Sequence, residues 1–578
     1  MMNRFTAPRK GPLVSFSSTP AAMKHAPSPP SCANHQHFDL TRPTARAPLA
    51  RVQKLLFSLF SLTLIGCASS ATTPARAPDG ENDAAPSRTE PTIAAKNEKP
   101  APPPLKVPDP PALCDEFTQR QTLQCGTSAT RDLLADAVGT ADASARDAKL
   151  LCLEKDQTLP KGIVRALRAD LAPEVCADAI VAPFLEAETK LAPEVEQALI
   201  GLLLSGKLAR LGANPPTLEA PFDKQRFLAF FESDLKPWIL GQAAAIGDLS
   251  LQGSKLNGYG KAVAALAAGA ADLRFVDLAR EVPLPEEMKK DPEVRDVYYA
   301  TLDEALEPRK QRGRDAVLVG LRLFAQLGVL HDERILRARA LLGKLYGGAR
   351  VDALDLLLLP KLPPPALDTA ERKLAAGLPT YYTLVLYPDL DPTEPGNLRA
   401  LSTRGLPPPH RKRLDQAKLA PASNKLYARA LLDSGILYFR AADFKRAAEV
   451  AAVGPQDDDA RLVAAVARGL ETGPADAADL MLKGQPASGL GSLSELDALA
   501  KGKAKTSGMA SFDGAYILEL VPRRDDPSFW EDVGARYERA SKQLTDPKDK
   551  ERAAEYAAEA RSTAKTLSSQ PKASPGKS

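Results

Sequence analysis

An all-α fold follows from three features of the sequence. Segments rich in Leu and Ala recur along the chain, separated by turns of Gly and Pro such as Gly347-Gly348 and Pro363-Pro364-Pro365. Several of these segments open with a helix start signal. Strand-like segments are few. The 578 residues exceed what one hydrophobic core normally serves, so two or three packed units plus tails are expected. The expected architecture is an α-solenoid-like array of helical hairpins, behind a disordered N-terminal leader and linker.

The net charge of +4 conceals an asymmetry. Residues 1–54 carry the cations Arg4, Arg9, Lys10, Lys24, Arg42, Arg46, Arg51 and Lys54 against Asp39 alone, and residues 55–66 carry no charge. With that leader contributing +7, the remainder is slightly acidic, at −3. Such a body has no basic footprint for nucleic acid, whose binding depends on releasing counterions.

Residues Arg51 to Lys54 supply two cations ahead of the uncharged run Leu55–Ile65, followed by Gly66 and Cys67. This is the order of an export signal, and the run is too short to span about 30 Å of hydrocarbon. Its last four residues, Leu64-Ile65-Gly66-Cys67, resemble the lipobox of bacterial lipoproteins. The resemblance implies a diacylglyceryl thioether on Cys67, with cleavage just before it, so that 1–66 is leader and signal peptide. The stretch upstream of the cationic region, with its Pro, Ser and the pair His35 and His37, reads as unstructured. A start at Val52 would leave a short signal. By resemblance to enterobacterial lipoproteins, Ala68 after the lipidated cysteine implies the outer membrane, with the body facing the periplasm.

From Cys67 to Leu113 there are eleven prolines and almost no large apolar side chain. Such a segment cannot offset its ordering entropy by burial, so 67–113 is read as a tether spanning roughly 40 Å as a coil. The remaining cysteines of the exported chain are Cys114, Cys125, Cys152 and Cys176. An even number in an exported protein suggests two disulfides with three possible pairings. The simplest joins neighbours, Cys114–Cys125 and Cys152–Cys176. Irregular spacing without a Cys-x-x-Cys pair argues against zinc.

In the body, Leu171-Ala172-Pro173-Glu174-Val175 recurs as Leu191-Ala192-Pro193-Glu194-Val195. Pro in a first turn leaves no N–H unpaired, and Glu suits the positive end of the helix dipole. Helices are therefore expected over Val175–Leu185 and Val195–Leu211. Further ones are expected over Asp223–Ile246, Gly260–Glu281, Glu293–Leu306, Arg314–Leu327, Glu333–Tyr346 and Val351–Leu358. Tyr381–Tyr387 and Ala515–Leu520 have strand-like composition. The expected units are a Cys-containing helical domain (114–290), a helical middle region (291–410), a C-terminal helical domain (411–567) and a polar disordered tail (568–578).

The C-terminal domain carries the clearest organisation. Phe444, Ala447, Ala448 and Ala451 fall at i, i+3, i+4 and i+7, one helical face, and Gly435 and Ala447 are small enough for two helices to approach closely. With Leu431 and Tyr438, this pattern resembles a tetratricopeptide repeat. A second match is Trp530-x-x-Val533-Gly534-x-x-Tyr537, with Ala553 standing two helical turns beyond the repeat's usual helix-B alanine. Asp457–Glu471 and Ala475–Leu482 could form another hairpin between them.

Motifs for chemistry are weak. Gly253 to Lys261 lacks the Lys-Ser/Thr ending of a phosphate loop. Ser233-Asp234-Leu235-Lys236 matches Ser-x-x-Lys without the companion elements of penicillin-recognising enzymes, the nearest being Lys505-Thr506-Ser507-Gly508. His331 is expected to cap a helix C-terminus, and His410, beside Arg411-Lys412-Arg413, to lie on a solvated turn. Neither has a metal-spaced partner. The expected function is a lipid-anchored envelope scaffold that binds protein partners through helical repeats, with no cofactor, metal or catalysis. An open groove presenting Tyr427, Tyr438 and arginines is the feature that reading anticipates. The alternatives are an envelope hydrolase of wall or glycan with unrecognised residues, and a structural stabiliser without a ligand.

Overall fold

The computed structural model describes residues 107–569, apart from 120–124, 126–127, 189, 213, 221–222, 283, 285–288, 347–351, 455–456, 472–490 and 521–524. Among the described residues the regular elements are helical, and strand-like pairing is confined to an isolated bridge between Val329 and Gly405. The leader, Cys67, most of the tether and the expected Ala475–Leu482 helix lie outside the described residues. The described helices belong to one contact unit, 88–578.

After a 3-10 turn (Ala112–Cys114) and a single helical turn (Asp115–Thr118) come α1 (Thr130–Val138), α2 (Ala143–Leu153), α3 (Ile163–Leu171), α4 (Ala177–Ala187) and α5 (Pro193–Arg210). Asp142 caps α2 by accepting the Ala145 N–H at 2.7 Å. Pro193 opens α5 as its start signal dictates, with Glu194 and Glu196 in the first turn. The other copy of that pentapeptide behaves differently: Glu174–Cys176 is a 3-10 turn that precedes α4. Its backbone is held from outside the helix, because Cys176 is disulfide-bonded and the Val175 carbonyl accepts from Arg210 Nη1 at 2.7 Å.

The four cysteines form two disulfides, but not between sequence neighbours. Cys114 pairs with Cys176 and Cys125 with Cys152, one loop nested inside the other. Helices α1 to α3 fold the chain back on itself, so the outer pair meets at a Cα separation of 5.2 Å and the inner pair at 5.5 Å. Beside them Arg168 is buried, bonded to both Asp147 oxygens at 2.8 and 3.0 Å, to Glu154 at 2.7 Å and to the Phe117 carbonyl at 2.9 Å. Arg210 likewise pairs with Asp178 and donates to the Pro108 carbonyl at 2.8 Å, holding that segment against α5.

Next come α6 (Lys224–Phe230), a π-helical stretch (Phe231–Leu235), α7 (Lys236–Ser254), α8 (Gly258–Arg280), α9 (Pro292–Leu327) and α10 (Glu333–Tyr346). Helix α8 is the buried axis of this region, with Tyr259, Val263, Leu266, Leu273 and Phe275 all in the core. It touches α5 at the backbone: a Cβ on Gly201 would lie 2.5 Å from the Gly260 Cα, so only glycine permits this approach. Helix α9 replaces the two helices expected over Glu293–Leu306 and Arg314–Leu327. Pro308 lies inside its 36 residues, and packing along α8 through Leu302, Leu306, Val317 and Phe324 carries the helix past the lost backbone donor.

Residues Ala353–Leu356 form a 3-10 turn where a helix over Val351–Leu358 was expected, and a segment without regular structure follows. Then come α11 (Ala370–Gly377), α12 (Thr380–Leu386), α13 (Pro395–Arg404), α14 (Pro408–Gln416), α15 (Pro421–Tyr438), α16 (Ala441–Val453), α17 (Asp458–Leu470), α18 (Ser494–Lys501), α19 (Ser507–Glu519), α20 (Pro527–Gln543) and α21 (Pro547–Ser569). Both strand expectations fail, since Tyr381–Leu386 lies in α12 and Ala515–Glu519 in α19. A short apolar run serves either element, and no sheet is present among the described residues to pair with.

The C-terminal hairpins follow their sequence patterns. Helices α15 and α16 are joined through Phe439, a buried residue in the left-handed region at φ 52°. Gly435 accommodates the Phe444 ring, and Ala447 is fully buried beneath it. In the last hairpin Val533, Tyr537 and Ala553 are fully buried, and Ala557, Ala560 and Ala564 extend one face of the longer α21.

Candidate functional site

A buried charged cluster lies where α3, α8, α10 and α12 meet. Asp170 comes from α3, Tyr259 from the first turn of α8, Asp332 from the turn before α10, and Arg334 from α10 itself. Arg334 Nη2 forms ion pairs with Asp170 Oδ1 at 2.7 Å and Asp332 Oδ2 at 2.6 Å, and donates to the Tyr259 hydroxyl at 3.0 Å. That hydroxyl donates to Asp170 Oδ2 at 2.6 Å. The Tyr259 ring stacks on Tyr381 with centroids 4.5 Å apart and meets Tyr382 edge-on at 5.9 Å.

Burial sets the electrostatics of the cluster. It raises the Asp170 carboxyl, with Arg334 opposing, and pushes the Tyr259 and Tyr382 hydroxyls well up. Burial also pushes on Asp332, yet Arg334 wins there and holds that carboxyl below its ordinary range. Arg334 is the one cation of this cluster, shared by both carboxylates. The arrangement is a joint that ties the disulfide-bearing helices to the middle of the chain, and beside it the Tyr382 hydroxyl is buried without a hydrogen-bond partner.

Two surface clefts stand apart from the joint. One, of about 490 Å3, runs between α16, α17 and α18 and has an alanine floor rimmed by Arg461, Arg468 and Glu495. The other, of about 550 Å3, lies between the end of α9 and α14, where Arg411, Lys412 and Arg440 face Asp415. Arg411 is held by Asp443 at 2.9 Å and Ser434 at 3.0 Å.

The residues singled out from sequence fall as follows. Tyr427 and Tyr438, expected in an open groove, are core residues: Tyr427 donates to Asp415 at 3.0 Å and Tyr438 to the Val329 carbonyl at 2.8 Å. His410, expected on a solvated turn, is buried in α14, and neither ring nitrogen has a hydrogen-bond partner there. Burial and the neighbouring Arg413 push it down to about 4. His331 does not cap a helix; α9 ends instead at Gly328 with φ 74°, and the His331 N–H donates to the Arg404 carbonyl at 3.2 Å. Ser233 and Lys236 are engaged separately, Ser233 with Ala229 and Asp234, Lys236 with Glu232. The Gly253–Lys261 stretch is taken up by the end of α7 and the start of α8. Sequence reasoning missed the Asp170–Tyr259–Arg334 joint, whose members come from segments with no common spacing.

Among the described residues no group of His, Cys, Asp and Glu is arranged to hold a metal ion, and no helix is long and apolar enough to cross a membrane. No protein-family model, curated protein or solved structure matches the chain. Fold and surface together define an all-α, disulfide-braced helical protein with solvent-facing clefts.

Proposed function

We propose that this chain is an exported lipoprotein, anchored through acylated Cys67 to the outer membrane and facing the periplasm, whose helical body is a scaffold for envelope protein partners. The observation that carries the proposal is the conjunction of a lipobox cysteine with a body braced by two disulfides. Disulfides persist in oxidising compartments, and the export signal leads to one. The Pro-rich tether supplies reach away from the membrane. The α15–α16 and α20–α21 hairpins, which carry the tetratricopeptide-like patterns, favour protein binding over chemistry, since stacked hairpins present extended faces.

The test is an affinity pull-down of the acylated protein from detergent-solubilised envelopes, read by mass spectrometry. The proposal expects specific envelope proteins that are absent from a control with Cys67→Ala. Turnover of wall or glycan fragments by the purified protein, with no partner recovered, would contradict the scaffold reading.

A further inference from the structure

The two disulfides differ in what can reach them. Cys114 and Cys176 are 2% and 0% exposed, closed over in the core. Cys125 is exposed, and Cys152, in the last turn of α2, is half-buried. Thr118, Gln119, Ser128 and Ala129, on either side of Cys125 in the chain, are exposed as well. Both ends of this stretch are held by other means. The buried Phe117 lends its carbonyl to Arg168 at 2.9 Å, and the Thr130 hydroxyl donates to Asp156. With the inner bond open, the outer one still closes the chain around α1 to α3.

A disulfide exchanges when a thiolate attacks one of its sulfurs, so access to that sulfur governs the rate. Exposed bonds are the labile ones, whereas buried structural ones resist reduction. We propose that Cys125–Cys152 is a thiol–disulfide exchange site, open to the dithiol of an envelope oxidoreductase, while Cys114–Cys176 is a permanent brace. The incoming thiolate attacks Cys125 Sγ, the sulfur on the exposed residue. The bond to Cys152 Sγ breaks, and Cys152 leaves as a thiolate that takes a proton from solvent. The second thiol of the dithiol then attacks the mixed disulfide at the partner's own sulfur, releasing Cys125 as a thiol. The dithiol is oxidised to a disulfide, and two electrons and two protons pass to the Cys125–Cys152 pair. A dithiol is required because Cys114, Cys125, Cys152 and Cys176 are the only cysteines after Cys67, and all four are bonded. Exchange therefore alters the cross-linking of one face and leaves the body folded. This inference goes beyond the scaffold reading and takes from it only the exported location.

The test is reduction of the purified, folded wild-type chain in detergent by dithiothreitol, without denaturant. Free thiols are blocked with one alkylating reagent, the remaining disulfides are opened and labelled with a second, and peptides are mapped by mass spectrometry. Cys125 and Cys152 should take the first label at least about tenfold faster than Cys114 and Cys176, at a rate proportional to dithiothreitol, while helicity stays native. In a buffer of reduced and oxidised glutathione the inner pair should populate both forms while the outer pair stays oxidised. The sulfur attacked is identified with Cys152→Ala and Cys125→Ala. Glutathione disulfide should cap Cys125 in the first variant at least about tenfold faster than Cys152 in the second. The proposal is overturned if the two pairs open together, if the outer pair opens first, or if the inner pair opens only as helicity is lost. An inner pair that stays fully oxidised in excess reduced glutathione overturns it too. Faster capping at Cys152 overturns the assignment of the attacked sulfur. The reduction and glutathione readouts use wild type, so they stand even if a single-cysteine variant fails to fold. None of them depends on capture of a scaffold partner or on acylation of Cys67.

Discussion

Breaking the disulfides one at a time tests the nested pairing and its energetic role. Cys125 and Cys152 are 27 residues apart and Cys114 and Cys176 are 62 apart. In the loop-entropy treatment the inner bond restrains the unfolded chain by about 3.5 kcal/mol. With the inner bond intact, the outer one closes an effective loop of about 35 residues, the difference of the two separations, and adds about 3.8 kcal/mol. Cys114→Ala/Cys176→Ala and Cys125→Ala/Cys152→Ala should each lower the urea midpoint, by comparable amounts. Reduction of wild type should cost about 7 kcal/mol at most. The Arg168 clamp on Asp147, Glu154 and Phe117 remains in either variant, so native helicity should survive at low denaturant. Non-reducing peptide mapping should recover Cys114 with Cys176. Recovery of Cys114 with Cys125, or unchanged midpoints in both variants, would refute the reasoning.

Four further substitutions probe the interior. Arg334→Ala leaves the Asp170 and Asp332 carboxylates buried without their cation, and should cost about 3–5 kcal/mol by denaturant titration. Tyr259→Phe should cost only about 1 kcal/mol. Asp513 is fully buried, accepts from Leu358 and is pushed well above the ordinary carboxylate range by that burial. Burial thus disfavours the ionised form in the fold, and stability is lost as pH rises from the unfolded-state value toward the native one. Asp513→Asn should thus be more stable relative to wild type at pH 7 than at pH 4, and a pH-independent difference would contradict this. Gly435→Ala places a Cβ 2.5 Å from the Phe444 ring, which should cost about 1–3 kcal/mol, read as a lower thermal midpoint.

The helical class and most helix starts could be read from local chemistry. Pro193 with Glu194, and the alanine face of α16, act within one or two turns, and physics at that range is visible in a linear string. Failures came where distant contacts decide. The two helices expected over Glu293–Leu306 and Arg314–Leu327 are one, because packing on α8 carries α9 through Pro308. Tyr381–Leu386 has strand composition, yet Tyr382 is buried against Tyr259 as part of a helix. The cysteine count implied two bonds, while the pairing depends on how α1 to α3 fold back. His410 was misjudged from its charged neighbours, although Leu414, one turn on and equally buried, marked the inner face of α14. The cluster of Asp170, Tyr259 and Arg334, and the grip of Arg399, Arg429 and Asp513 on the backbone of residues 358–363, join segments far apart in the chain. No spacing rule reaches them.

The most direct measurement is intact mass and tandem mass spectrometry of the N-terminal peptide, from protein made in a Gram-negative host and extracted from membranes. The account predicts a chain beginning at Cys67 and carrying a diacylglyceryl group, recovered with the membrane fraction and lost from it in Cys67→Ala. An unmodified Cys67 inside a longer soluble polypeptide would contradict it.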